Sequence, residues 1–200
     1  KARLELALHQ IKPHFLQNAL MSIKVLCRTR PKEAEQAVYD FAVFLRGNMN
    51  ALESAEMIPF REECKTIERY LHIEKIRFGE RLQVQWDLQE EKFRIPPLTI
   101  QPLVENAVCH GICQKMEGGT VQIRSFRKNG EICVQILDDG AGFDTEKLKD
   151  ADGIAIRNLK LRLKEFLNAD LEIESRKGEG CRQTIHIPWE ETDDENYSDR

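Results

Sequence analysis

The hydrophobic period of this chain changes once, near residue 80, and that change limits what it can fold into. Ahead of it stand only Gly47 and Gly79 of the eleven glycines. Leu4, Leu8, Ile11, Phe15, Ala19, Ser22 and Leu26 recur at intervals of three and four, the spacing that lines one helix face. Thr29-Arg30-Pro31 breaks the pattern, and Ala34, Val38, Phe41, Leu45, Met49 and Leu52 repeat it. Two helices with narrow apolar stripes and a short connection read as an antiparallel hairpin. Each stripe is too long for one partner to cover, so the hairpin is expected to pair with its copy in a dimeric four-helix bundle. A third helix is expected from Pro59, with Phe60, Cys64, Ile67, Leu71 and Phe78 along one side and Gly79 as its stop.

Beyond Arg81 the texture is that of a mixed α/β domain. Leu82–Trp86 alternates like a half-buried strand, and Pro96–Gly111 reads as a helix. Val121–Arg127 and Ile132–Leu137 read as strands joined by Asn129-Gly130, a strong two-residue hairpin signal. Ile156–Leu167 returns to helical spacing, and Leu171–Ser175 and Gln183–Ile187 are strands around Lys177-Gly178-Glu179-Gly180. The expected class is α+β: a helical domain over 1–80, an α/β domain over 81–189, and an acidic, solvated tail over 190–200.

Charge and length exclude some functions. Thirty Lys+Arg against thirty-four Asp+Glu give a net charge of −4, which argues against a general nucleic-acid partner. No apolar run approaches the roughly 18 residues of a membrane helix. Lys1–Leu8 reads as amphipathic helix and not as a signal peptide, so the chain is expected to continue something longer. The six cysteines form no CxxC and have no histidine at zinc-finger spacing, and they read as reduced thiols.

Three features suit a nucleotide. Asn106, in Glu105-Asn106-Ala107 on a helix, offers an amide oxygen to Mg²⁺, a hard cation. Asp138, at a strand end in Asp138-Asp139-Gly140-Ala141-Gly142, can accept from the adenine amine, while Gly140 and Gly142 let the backbone turn close to the base. Gly153-Ile154-Ala155-Ile156-Arg157-Asn158 opens a helix whose N–H groups can face phosphates. No GxxxxGK[ST] and no GxGxxG after a strand is present. A further candidate is His14, in Pro13-His14-Phe15-Leu16-Gln17-Asn18, about 100° around the helix from the apolar stripe. An imidazole with an ordinary pKa of about 6.5 is mostly neutral and nucleophilic at neutral pH. Gln10 and Asn18, one turn away on either side, can hydrogen-bond the ring, and Pro13 should bend the helix there. His9, His72, His110 and His186 lack such surroundings.

These stretches resemble the sensor histidine kinases of the LytS/YehU type over nearly the whole chain. The resemblance rests on Gln10–Asn18, on Tyr70-Leu71-His72-Ile73-Glu74-Lys75-Ile76-Arg77-Phe78, on Pro96–Ala107 with its Pro102-Leu103-Val104-Glu105-Asn106-Ala107, and on the glycine loops. It implies a helical dimerisation and phosphoacceptor domain followed by the GHKL (Bergerat) ATP-binding sandwich. His14 would be the phosphoacceptor, Asn106 the Mg²⁺ ligand and Asp138 the adenine contact. Glu105 would be a candidate acid or base. The nucleotide set would also include His110, Gly140, Gly142, Gly153, Asn158, Gly178 and Gly180. It further implies ATP and Mg²⁺ as cofactors, a homodimer, a response regulator receiving the phosphoryl group on an aspartate, and a membrane-anchored sensor region upstream. The chain would then be the cytoplasmic portion of a bacterial cell-membrane protein. The alternatives are a pseudokinase scaffold, or another ATPase or protein kinase of the same nucleotide fold. Cys109, Ala155 and Cys181 depart from the family, where a Lys-like residue, Gly and Thr are usual. If position 155 needs φ > 0, Ala155 limits nucleotide binding and Ala155→Gly should tighten it.

Overall fold

The computed structural model describes residues 13–53, 56–144 and 154–189. The chain divides into two compact units, one holding Cys64–Glu80 with the residues ahead of Met57, the other holding Met57–Glu63 with the residues from Arg81 onward. Among the described residues no helix is long and apolar enough to cross a membrane.

In the first unit, α1 (Pro13–Thr29) and α2 (Pro31–Glu53) are separated by Arg30 alone. The Arg30 N–H closes the last turn of α1 on Leu26 at 2.7 Å, and its carbonyl accepts from Ala34 N–H at 3.0 Å to open α2. Pro31 takes the first position of α2, where its missing donor is harmless. Helix α3 (Phe60–Phe78) ends at Gly79, whose φ of +57° only glycine adopts readily. Phe15, Ala19, Ile23 and Leu26 of α1 are buried. The Phe15 ring lies 5.3 Å from Phe44 and 5.1 Å from Tyr70, an aromatic knot joining the three helices.

The α2 stripe differs from expectation. Its buried face is Ala34, Ala37, Phe44 and Asn48, with Phe41 half-buried. Val38 and Met49 of the expected stripe are 51% and 40% exposed in the single chain. Two stripes of three-four spacing run side by side on this helix, and polar residues disguised the buried one. Asn48 is accommodated because its amide donates to the Phe44 carbonyl at 2.9 Å. Asp40 is accommodated because it accepts from Gln36 at 3.1 Å and pairs with His72 at 2.7 Å.

The second unit begins with β1 (Ile58–Pro59), paired antiparallel to β3 (Arg94–Ile95). The main sheet has five strands: β2 (Leu82–Leu88), β4 (Gly119–Lys128), β5 (Glu131–Asp138), β6 (Asp170–Arg176) and β7 (Gly180–Pro188), in the order β2-β4-β5-β7-β6. Only β2–β4 is parallel, and the segment crossing between them holds α4 (Gln101–Asn106). Asn129 and Gly130, at φ +53° and +76°, make the tight β4–β5 turn expected of them. Val121 and Ile123 of β4, Ile132, Val134 and Ile136 of β5, and Ile185 and Ile187 of β7 are buried on the sheet. Leu103 and Val104 of α4 are buried too, as are Leu159 and Leu163 of α5 (Ile154–Leu167).

Candidate functional site

The site begins with how α4 is held. Pro96-Pro97 delays the helix to Gln101. Leu98 is forced to φ +59°, an unusual angle for a side chain of its size, and its carbonyl accepts from Arg162. The first turn of α4 is capped from elsewhere in the unit: Glu63 Oε1 accepts from the N–H groups of Ile100 at 2.6 Å and Gln101 at 3.1 Å. Burial pushes the Glu63 carboxyl up to about 7, against the pull of those N–H groups and of Arg162.

At its other end α4 widens. After Asn106 the backbone makes a π-helical turn over Ala107–Gly111. That turn brings Gly111 against the loop leaving β5, and its carbonyl accepts from Ala141 N–H at 3.1 Å. A Cβ on Gly111 would stand 2.4 Å from Asp138 Oδ1, and one on Gly140 would stand 2.3 Å from the Gly111 backbone. The loop is tied down further: Asp138 Oδ1 accepts from Gly140 N–H at 3.0 Å, and Ala141 accepts from Gly178 N–H at 2.7 Å.

Between the end of α4, the end of β5, the start of α5 and the β6–β7 pair lies a cavity of about 330 Å³, within the range of small-ligand sites. Its walls are mostly apolar: Ala107, Phe143, Ala155, Ile156 and Ile173, with Gly111 and Gly142. Asp138 is only 8% exposed. Burial pushes its carboxyl up to about 6, the Asp139 charge adds to the rise, and the Gly140 and Cys181 N–H groups and Lys115 oppose it. The Cys181 thiol is pushed up to about 12, first by burial and then by the Asp138 charge, so it stays protonated. A flat heterocycle with an amine edge suits such a slot: apolar faces on both sides and one buried acceptor for the amine.

The structure brings together Asn106, His110, Asp138 and Gly142 as lining residues. Gly140 lies buried beneath them, packed on Gly111. Gly178 and Gly180 shape the β6–β7 turn at φ +86° and +88° and are not among the lining residues. Gly180 is required there, since a Cβ would stand 1.9 Å from the Asp138 carbonyl oxygen. Asn158 is exposed on α5 and outside the lining; Glu105 is also outside it, and accepts from the Gln101 amide at 2.8 Å. Cys109 does not line the cavity either. Gly153, like Gln10, lies outside the described residues. In the other unit, His14 is exposed near the start of α1, and the Asn18 amide nitrogen is 2.9 Å from its Nε2 and 3.1 Å from its Nδ1.

The expectation for Ala155 is corrected. It lies in the first turn of α5, in the cavity wall, and it is not among the residues of positive φ. An alanine costs nothing at helical angles, so glycine would relieve no strain there. Gly111, Phe143, Ile173 and Gln183 were not singled out as site residues, and Ile156 was named only within the stretch Gly153–Asn158. Only Gly111 left a signal, as an isolated glycine closing an apolar helical run.

Fold and cavity together define an ATP-using protein of the class that includes histidine kinases. Residues 97–191 match the family described as histidine kinase-, DNA gyrase B- and HSP90-like ATPases, and residues 2–82 match the histidine kinase family. The histidine kinase domain of a blue-light activated kinase from Erythrobacter litoralis superposes with a TM-score of 0.56 over 94% of this chain and 98% of that one, at 15% identity. YwpD of Bacillus subtilis (strain 168) is 36% identical over 200 residues, covering 95% of this chain and 72% of that protein. Sensor histidine kinase BtsS of Escherichia coli (strain K12) is 33% identical over 184 residues, and sensor protein LytS of Bacillus cereus 31% over 193. Each match takes in 90% of this chain, which spans only 32% and 33% of those two proteins. The chain belongs to the sensor histidine kinase family, among relatives of the LytS type.

Proposed function

We propose that this chain is the catalytic part of a two-component sensor kinase, which transfers the γ-phosphoryl group of ATP to His14 and from there to an aspartate of a response regulator. The observation that carries the reading is the slot itself: a buried carboxylate, Asp138, at the end of an apolar cavity whose rim holds Asn106. Asp138 would accept from the adenine amine, with Ala107, Phe143, Ile156 and Ile173 against the faces of the ring. Asn106 fits a Mg²⁺ that takes one hard amide oxygen from the protein and its other ligands from phosphates and water. When bound, the cation neutralises charge on the phosphates. His110, exposed beside Asn106 in the lining, would meet the phosphate side of the nucleotide. The chain's part in transfer is then positioning, since phosphoryl transfer asks little covalent work of a protein.

At His14, the Asn18 amide nitrogen lies 2.9 Å from Nε2 and 3.1 Å from Nδ1, so it can steady the ring, and it must leave the lone pair of the attacking nitrogen free when the phosphoryl group arrives. The assignment makes residues 1–80 the phosphoacceptor and dimerisation domain, 81–189 the ATP-binding domain and 190–200 an acidic tail. Dimerisation is supported by apolar side chains left on the hairpin surface: Met21 and Val25 on α1, Val38 and Met49 on α2. His14, Asn18, Met21 and Val25 fall within about 60° of one another around α1. A membrane-anchored region ahead of residue 1, with this part facing the cytoplasm and no nucleic-acid partner, completes the reading.

The test is incubation with γ-labelled ATP and Mg²⁺, followed by mapping of acid-labile, alkali-stable label. Label is expected on His14 alone, absent in His14→Gln although that variant still binds ATP, and strongly reduced in Asn106→Ala. Label persisting at another histidine in His14→Gln would overturn the assignment.

A further inference from the structure

The face of the sheet opposite the nucleotide cavity carries a second group of chemically able side chains. Strand pairing sets Cys133 of β5 directly across from His186 of β7. Glu131, two residues before Cys133, points to the same face of the sheet. One ligand atom from each of the three lies within 4.8 Å of the others. His186 Nδ1 is 3.0 Å from Glu131 Oε2 and 3.9 Å from Cys133 Sγ. On the other side of the ring, His186 Nε2 is 3.6 Å from Glu172 Oε2 of β6.

We propose that Glu131, Cys133 and His186 form a binding site for a thiophilic divalent cation, with zinc the best match. Tetrahedral zinc with bonds of about 2.3 Å to sulfur and about 2.0 Å to nitrogen and oxygen sets the sulfur about 3.6 Å from the nitrogen and the nitrogen about 3.3 Å from the oxygen. The two separations from the nitrogen differ from these by a few tenths of an ångström, and the sulfur and oxygen lie within 4.8 Å of each other against about 3.6 Å in a tetrahedral site, so side-chain rotation must draw them together. The donor set is mixed, with one soft sulfur, one borderline nitrogen and one hard oxygen, and its sulfur and nitrogen discriminate against Mg²⁺ and Ca²⁺, which want oxygen alone. Glu172 is a positioning residue. The 3.0 Å contact with the Glu131 carboxylate puts the resting proton on Nδ1; on ligation it moves through solvent to Nε2, where Glu172, 3.6 Å away, accepts it after a small side-chain shift, the carboxylate–histidine arrangement that recurs around bound metals.

On binding, the Cys133 Sγ–H bond breaks, a sulfur–zinc bond forms, and the proton leaves to solvent. One thiolate and one carboxylate then balance the two charges of the ion, so a nearly buried sulfur is left without uncompensated charge. The fourth tetrahedral position falls to water, because Glu131 and His186 are only partly buried. The site is separate from the nucleotide: it shares β5 and β7 with Asp138 and Gln183 but lies on the other face. Its expected effect is to cross-link those two strands.

The test is titration of the whole chain with Zn²⁺ against a chromophoric chelator, and with Co²⁺ as the spectroscopic probe. One equivalent is expected to bind, and Co²⁺ should show the thiolate charge-transfer band of a tetrahedral site. Cys133→Ala should abolish the band, while Cys27→Ser should leave it intact. His186→Gln should weaken Zn²⁺ by more than about tenfold, and this partly exposed position keeps the test valid should Cys133→Ala fail to fold. Glu172→Gln should lower affinity about tenfold yet keep the band, because the ligands are unchanged. A wild-type protein without the band, a band that survives Cys133→Ala, or an unchanged Zn²⁺ affinity in His186→Gln overturns the proposal.

Discussion

Replacing Asp138 by asparagine should make the empty protein more stable at neutral pH while spoiling its grip on adenine. The carboxyl is held near 6 in the fold against 3.8 as its ordinary value, mainly by burial. Between those two pH values the folded state holds more proton than the unfolded one. Stability conferred relative to an uncharged side chain therefore falls as pH rises from about 4 to about 6, and the whole penalty is present above that. A rise of about two pH units corresponds to at most ~3 kcal/mol at 1.36 kcal/mol per unit. The carboxylate borders an open cavity, so solvent screening brings the figure down to about 1.5 kcal/mol. Asparagine keeps an oxygen for the Gly140 N–H but turns its amide toward the Cys181 N–H, a loss of about 1 kcal/mol that does not change with pH. The signature is therefore the pH dependence and not the absolute offset. Urea unfolding of both proteins at pH 4.5 and pH 7.5 reads it, since every other titrating group is common to the two and cancels. The variant should gain about 1 kcal/mol or more on the wild type between those pH values, and its preference for ATP over GTP should collapse. Parallel pH profiles would refute the buried-carboxylate reasoning, whatever happened to nucleotide affinity.

Gly111→Ala should destabilise the protein by about 1–3 kcal/mol and weaken ATP, because the added methyl meets Asp138 Oδ1 and neither side can retreat; a wild-type urea midpoint would contradict this. Ala155→Gly should leave ATP affinity level or lower it a few-fold, through a helix start loosened by about 0.5–1 kcal/mol; tighter binding of a fluorescent ATP analogue would show that the first turn of α5 is strained after all. Val38→Glu with Met49→Glu should convert a dimer to a monomer in sedimentation without changing the helical signal, since both side chains are exposed in the single chain; an unchanged sedimentation coefficient would place the interface elsewhere.

What could be read from the sequence was what is local. Asn129-Gly130 gave its hairpin, Gly79 its helix stop, and Asp138 its strand end, because each signal lies within a few residues of the structure it dictates. What could not be read was set by register and by distant partners. The α2 core face hid behind Asp40 and Asn48, whose hydrogen bonds are what make them tolerable inside. Glu63 caps a helix 37 residues downstream through the Ile100 N–H. Cys133 and His186 are 53 residues apart, and only the pairing of β5 with β7 makes them neighbours. Position 155 was misjudged because a glycine in relatives does not by itself imply a left-handed backbone.

The contact of Gly111 with Gly140 has a consequence for how such a site can change over generations. A side chain gained at 140 meets the Gly111 backbone and cannot be answered by a smaller residue at 111, where none remains to shrink, and one gained at 111 meets the buried Asp138 carboxylate. Compensating pairs of substitutions, the usual route by which packed positions drift, are closed to these two. The segments around 111 and 140 are thereby bound to a shared fate: the stretch ending α4 and the stretch leaving β5 must keep the same bare crossing beneath the cavity.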